Sequence, residues 1–277
     1  MKELTVHSWD ELQKVIFDGV WDPAIHRYRN NCVFRGMGDS EWGLTPSLNR
    51  ACAHDMSLEK QLIRALKKYG FADLPQNASV WQLLVIGQHF GLPTRLLDWT
   101  YSPLVAAHFA TDDLKMYDRD GVIYRADLDQ LNRLLPNLLK KHLAQERVNV
   151  FSMEALDRFG ENLEGLAALE QNGNPFVLFF EPSSMVDRIA NQYGLFSLTS
   201  RASVSLDSVP GADSCLMRIL LPAQIKLEIR DKLDYVNISE RMIYPGLDGI
   251  CKWIARRYAA LGPKYHHAGT DKAERKE

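Results

Sequence analysis

No stretch of this chain approaches the roughly 18 to 20 uncharged apolar residues that a membrane span requires. The longest apolar runs, such as Phe176 to Phe180, have the length of a strand. The opening Met1-Lys2-Glu3-Leu4-Thr5 lacks the apolar core of a secretory signal and leads into a helix start, so a cytoplasmic protein with no membrane partner is expected. Cysteine is scarce: Cys32, Cys52, Cys215 and Cys251 lie far apart, without the Cys-x-x-Cys spacing that grips zinc or runs dithiol chemistry, and they read as reduced core thiols. Glycine-rich phosphate loops are missing as well. There is no Walker sequence, and Gly36-Met37-Gly38 lacks the third glycine of a dinucleotide fingerprint, which argues against ATP hydrolysis and ordinary dehydrogenase chemistry. Neither sign of charge dominates: 33 Lys and Arg stand against 35 Asp and Glu, a net charge of -2. That balance excludes a wholly basic nucleic-acid coat and leaves a local patch open. His266 and His267 are adjacent, a spacing that does not bring two imidazoles to one helical face, so no metal is expected.

What is present is ordinary globular composition, 277 residues with 46% hydrophobic and 25% charged, enough to bury a sizeable core. Ser8 three residues before Glu11, ahead of Leu12, Val15 and Ile16, marks a capping-box helix start. A strand is expected at about Cys32 to Gly36, with helices at Leu58 to Tyr69 and Val80 to Phe90, the second closed by the turn Gly91-Leu92-Pro93. Thr94 to Trp99 reads as a short strand entering a helix with Ser102 as N-cap and Pro103 in its first position. Further strands are expected at Gly121 to Ala126, Pro175 to Glu181, Gly194 to Thr199 and Cys215 to Leu221, and a final helix at Leu247 to Leu261. Between about Asp127 and Asn172, Leu, Lys, Glu and Gln recur at helical spacing, which suggests a helical insertion on a sheet scaffold. With no internal repeat or linker, a single α+β domain over residues 1–262 is expected, followed by a polar, flexible tail at 263–277.

Phe34-Arg35-Gly36 closes an apolar strand. Gly87-Gln88-His89-Phe90-Gly91-Leu92-Pro93-Thr94-Arg95-Leu96-Leu97-Asp98-Trp99-Thr100 follows downstream, then Ser102-Pro103-Leu104-Val105-Ala106-Ala107-His108-Phe109-Ala110. With these segments the chain resembles the FRG-domain family, named after its Phe-Arg-Gly triplet. The likeness continues through Arg188, Ile189, Gln192 and Gly194-Leu195-Phe196, and through Ile238-Ser239-Glu240, Ile243-Tyr244-Pro245, Leu247 and Gly249, spanning about residues 31 to 254.

A more distant resemblance, to mono-ADP-ribosyltransferases, carries the chemistry. The order of a strand with Arg-Gly, a short strand running into a Ser-Pro helix, and a late Glu is similar to that family's layout, and it implies a mixed sheet core of that fold. It implies NAD as substrate, Arg35 and Glu240 as catalytic residues, and cofactor contacts from Arg35, Gly36, Gln88, Arg95, Asp98, Gln192 and either Thr100 or Ser102. The middle element reads as Asp98 to Ser102, with Ser197-Leu198-Thr199-Ser200 as a rival. An arginine fork can hold a phosphate of NAD bidentately. A fixed carboxylate lowers the barrier to breaking the nicotinamide–ribose bond, because positive charge develops on the sugar. On this resemblance Glu240 supplies that carboxylate and accepts a ribose hydroxyl, while Gly36 lets the nicotinamide amide approach the backbone.

Bland readings stand beside these. Arg35 can be a structural arginine paired with Asp98 or Asp39, Arg95 and Asp98 can form a buried brace, and Glu240 can be a first-turn helix carboxylate. His89 and His108 lie in apolar helices, where packing is the commoner outcome. Gln192 can orient a loop or touch ligand.

The resulting expectation is an NAD-dependent ADP-ribosyltransferase acting as an intracellular toxin or phage-defence effector. Its target would be a protein or nucleic acid and its partner a neutralising antitoxin, with the helical insertion at about residues 127 to 172 as the partner or target surface. Tyr235 and Asn237, in the stretch Lys232 to Ser239, would meet the acceptor. The alternatives are a non-catalytic module binding a phosphate-bearing ligand or a protein, and a nuclease using Glu240, Asp98 and His89.

Overall fold

The run Cys-Val-Phe-Arg-Gly-Met can be covered on both faces only if layers pack on each side of it, and the computed structural model sets it in the interior of a sheet. Residues 1–51, 57–160, 163–182 and 191–259 are described. The strands are β1 (Lys2–Thr5), β2 (Trp21–Asp22), β3 (Arg27–Tyr28), β4 (Cys32–Met37), β5 (Leu97–Thr100), β6 (Gly121–Asp127), β7 (Phe151–Ser152), β8 (Val177–Glu181), β9 (Gly194–Thr199) and β10 (Leu216–Leu221). Eight of them form one mixed sheet in the order β1-β10-β6-β4-β5-β9-β8-β7, while β2 and β3 make a separate hairpin. The edge pairs β1–β10 and β7–β8 are parallel and the inner pairs antiparallel.

Helices cover both faces. They are α1 (Trp9–Ile16), α2 (Ser47–Ala51), α3 (Leu58–Tyr69), α4 (Val80–His89), α5 (Pro103–Thr111), α6 (Leu128–Asn132), α7 (Asn137–Glu146), α8 (Met153–Phe159), α9 (Ala223–Tyr235), α10 (Glu240–Ile243) and α11 (Leu247–Arg257). Alternation along β4 sends Phe34 to one face, where it packs with Ala106, Ala107 and Ala110 of α5 and Ile225 and Ile229 of α9. Val33 and Met37 go to the other, against Trp99, Tyr124 and Phe179. A third cluster joins Trp81 and Leu84 of α4 to Phe151, Leu156 and Phe180.

Two local devices place the helix that matters most. Ser102 accepts a hydrogen bond from the Val105 N–H, and Pro103 occupies the first turn, so α5 starts at a set point. It then crosses β4 so closely that a Cβ on Gly36 would lie 1.7 Å from the Ala106 carbonyl oxygen. Gly36 is therefore glycine because a helix backbone fills the place of its side chain, a packing reason that stands beside the expected nicotinamide access.

Several elements differ from the sequence-based expectation. β1 precedes the first helix, pairing with β10, and α9 lies where no helix was read. The 127–172 stretch is helical, yet it also carries edge strand β7 and contributes Leu139, Phe151 and Leu156 to the third core cluster. Cys32 and Cys215 are buried, but Cys251 is exposed, because α11 turns that side outward. Cys52, Arg188, Ile189, Leu261, His266, His267 and the 263–277 tail lie outside the described residues. No described helix is long and apolar enough to cross a membrane.

Candidate functional site

β4 and β5 pair at one point, Phe34 with Thr100, and then separate. A cavity of about 410 Å³ opens where they part, walled by residues 34–38 of β4 and its exit, by Gln88 and His89 at the end of α4, by Asp98, Trp99 and Thr100 of β5, and by Phe109 at the end of α5. Trp42, Arg50, Asp112, Asp113, Met116, Gln192 and residues 194–196 of β9 complete it.

Arg35 stands at the fork. Its Nη1 donates to the Asp98 carbonyl oxygen at 2.7 Å and lies 3.6 Å from Asp98 Oδ2, whereas its Nε is covered and makes no hydrogen bond. Burial pushes the guanidinium pKa down; the Asp98 charge opposes this, and the like charge of Arg50 adds to it. Two arginines thus share one cleft, and cations so placed suit an anionic group. Asp98 is also oriented from its other side: Gln88 Nε2 donates to Oδ1 at 2.8 Å, and Thr94 holds the Gln88 oxygen.

The remaining expected site residues are spent on the protein itself. Thr100 lines the cleft, but its hydroxyl donates to the Gln192 carbonyl oxygen at 2.7 Å and accepts from the Ser102 N–H at 3.0 Å. Ser102 caps α5 and does not line the cleft. The Gln192 side chain reaches the Ile243 carbonyl oxygen at 3.4 Å and so ties β9 to α10. Arg95 lies away from the cleft, with Nε 2.8 Å and 2.9 Å from the two oxygens of buried Glu59, a brace between α3 and the β5 approach. The rival hydroxyls are engaged too: Ser197 accepts from the Trp99 indole, Thr199 donates to the Arg201 and Val204 carbonyls, and Ser200 donates to Glu170.

Glu240 is absent from the walls of the Arg35 cleft. It is 4% exposed, and both its oxygens accept from Arg256, Oε1 at 2.5 Å and Oε2 at 3.0 Å. Arg256 also reaches Asp234 at 2.7 Å, and Arg230, fully buried nearby, holds the Ile238 carbonyl and contacts His108 Nδ1 at 2.5 Å. His108 is thereby driven well below its ordinary pKa, first by burial and then by the charges of Arg230 and Arg256. Tyr235 and Asn237 are exposed at the end of α9.

Glu240 faces a second cavity of about 400 Å³, lined also by Asp112, Asp113, Leu114, Tyr244, Lys252, Ala255 and Arg256. Asp112 and Asp113 belong to both cavities. Burial raises the Asp112 carboxyl to about 6; the Arg230 charge opposes this, and Asp113 and Glu240 add to it. Sequence reasoning passed over Asp112, Arg50, Trp42 and Phe109. A signal for Asp112 existed, an acidic pair closing a helix whose only ionisable side chain is His108. Among the described residues no group of three His, Cys, Asp or Glu is placed to hold a metal.

Residues 30–119 match the family model of the FRG domain, a span that includes Arg35, Gly36 and the Gln88 to Ser102 segment and leaves out Gln192 and Glu240. No curated protein and no solved structure matches the chain.

Proposed function

For a chain that carries an FRG domain over residues 30–119, we propose that the cleft between β4 and β5 binds a phosphate-bearing nucleotide, and that the chain uses NAD there as an ADP-ribosyltransferase. The observation that carries this reading is Arg35, a largely enclosed guanidinium lining the cleft at the strand fork, with Arg50 beside it. Two cations at one end of a cavity suit a diphosphate, and Trp42 and Phe109 supply apolar surface for a ring. Asp98, fixed by Gln88 and Arg35, is the cleft carboxylate beside the two arginines, and it takes the electrostatic role that the order of motifs assigned to Glu240. In the reaction the bond between ribose C1′ and the nicotinamide nitrogen breaks, its electron pair leaves with nicotinamide, and an acceptor atom bonds to C1′ and releases its proton. The likeness of the fold to ADP-ribosyltransferases belongs to this proposal, supported by a strand-borne Arg-Gly beside a split in the sheet and the helix that follows β5.

The test is calorimetric titration of NAD together with an assay of nicotinamide release in the presence of cell extract. Binding to wild type that weakens about 100-fold in Arg35→Ala is expected, since a charge-assisted hydrogen bond to phosphate is worth roughly 1.5 to 3 kcal/mol. No NAD binding at millimolar concentration sinks the nucleotide reading. The engagement of Thr100 and Glu240 by other protein groups favours a second reading, a non-catalytic module for the same phosphate-bearing ligands. NAD binding without nicotinamide release under any condition selects it. A toxin setting with an antitoxin docked on the 127–172 helices is part of the first reading. Growth arrest on expression that disappears in Arg35→Ala is its expected sign.

A further inference from the structure

We propose that the second cavity receives a protein acceptor of the transfer, and that Asp112, in the wall common to both cavities, takes the acceptor's proton. This rests on the NAD reading above. The two cavities meet at Asp112 and Asp113, just past the end of α5, so a group in one lies across a single side chain from a group in the other. Such an arrangement suits a two-substrate reaction in which the donor is held by Arg35 and the nucleophile arrives from the opposite side.

The chemistry of the walls selects the kind of acceptor. Carboxylates Asp112, Asp113 and Glu240 line the second cavity against two cations, Lys252 and Arg256. Arg256 is already committed to Glu240 and Asp234, and the Lys252 ammonium sits 4.6 Å from the centre of the Tyr244 ring. A polyanion therefore finds little to neutralise its phosphates, whereas a polypeptide side chain with an O–H or N–H nucleophile meets acids and an aromatic ring. The cavity of about 400 Å³ admits a side chain with its flanking backbone.

Asp112 is placed for the proton. The Tyr244 hydroxyl stands 3.5 Å from its Oδ2, Asp113 and Glu240 repel its charge, and Arg230 attracts it, with Arg256 and Lys252 on the α11 side of the same cavity. A carboxyl that titrates near 6 is ionised at neutral pH and basic enough to accept a proton as attack proceeds. In the step, the acceptor heteroatom bonds to C1′, the C1′–nicotinamide bond breaks with its electrons leaving on nicotinamide, and the acceptor proton passes to the Asp112 carboxylate and then to water.

The experiment uses the full chain, NAD labelled in its adenylate half, and total cell protein or total cell RNA as separate acceptors, with nicotinamide measured in parallel. Wild type is expected to label protein. Ala255→Trp, at an exposed position of α11, narrows the second cavity, and the ratio of label transferred to nicotinamide released should fall at least about tenfold. Asp112→Asn should lose transfer at least about 100-fold while still binding NAD, and its residual rate should no longer climb as pH rises through about 6. Unchanged transfer in Ala255→Trp, a pH profile in Asp112→Asn like that of wild type, or label on RNA alone would overturn this assignment and leave the NAD reading standing. Wild type that releases no nicotinamide with either acceptor sinks both.

Discussion

The Arg35 cleft and the Glu240 cavity are neighbours with opposite electrostatic character. In the first, Arg35 and Arg50 face one another's charge, the Arg35 Nε has no partner, and Asp98 is open to solvent. Beside the second, Glu240 and Asp234 are matched by Arg256, and the terminal nitrogens of Arg230 are bound to a carbonyl, an imidazole and a carboxylate, its Nε being covered and unpaired like that of Arg35. The difference separates two uses of charge. Carboxylates closed on by a buried arginine contribute to holding α9, α10 and α11 together, whereas the Asp98 carboxylate, open to solvent beside Arg35, is set to meet something from outside.

The strongest attack on this contrast is Arg256→Ala. Removing the shared cation leaves two carboxylates unmatched, and a loss of about 3 to 5 kcal/mol in urea unfolding is expected, with NAD affinity of the folded protein little changed. If stability hardly moves and NAD binding collapses, the second cavity is the functional one and the contrast is inverted.

A smaller effect comes from Asp112, where the two regions touch. Its carboxyl is raised from 3.8 to about 6, so between those values the folded state holds a proton that the unfolded chain has released. Stability therefore falls as pH rises through that window, and the full penalty is present above about 6. Asp112→Asn should be more stable than wild type by roughly 2 kcal/mol at pH 7.5, with the gap closing below pH 4 in matched denaturation curves. A stabilising change at the price of transfer is the pattern of a strained functional group. Equal stabilities at both pH values would show that Asp112 is comfortably solvated.

Thr100→Val gives the smallest and sharpest signal. The hydroxyl links β5, the start of α5 and the Gln192 backbone, so its loss should cost about 1 to 2 kcal/mol of stability. NAD affinity should change less than about threefold if the hydroxyl serves the fold alone. A tenfold loss of affinity would return Thr100 to the ligand contacts.

Much of the fold was legible. α3 and β9 lie where periodicity placed them, and β4, α4, β6, β8 and β10 fall within two residues of expectation, because each carries its own apolar spacing and punctuation. α5 was readable from Ser102 and Pro103 alone. β1 was missed because four residues with one partly covered side chain carry no pattern; pairing with β10 makes them a strand. α9 was missed because Lys226 and Arg230 look like surface charges. Both are buried, Lys226 with its ammonium on the Gly38, Met116 and Arg119 carbonyls, so its apolar face is wider than the letters suggest.

Within the candidate site, the residues carried by motifs were readable, and the charge pairings with residues outside those motifs were not. Arg35, Gln88 and Asp98 converge as their segments implied, and the Asp98 bracing between Gln88 and Arg35 follows from β5 running beside β4. Arg95 was drawn to Glu59, a residue with no motif around it. By itself the sequence determined where most of the helices and strands begin, since these depend on neighbours along the chain, whereas the need for glycine at position 36 came from the α5 backbone packed against it. Tertiary structure alone decided that Arg256 would close on Glu240 and that Asp112 would stand between two cavities. Such placements join residues on different elements, and the energy of a buried charge depends on which partners the packing brings within a few ångströms.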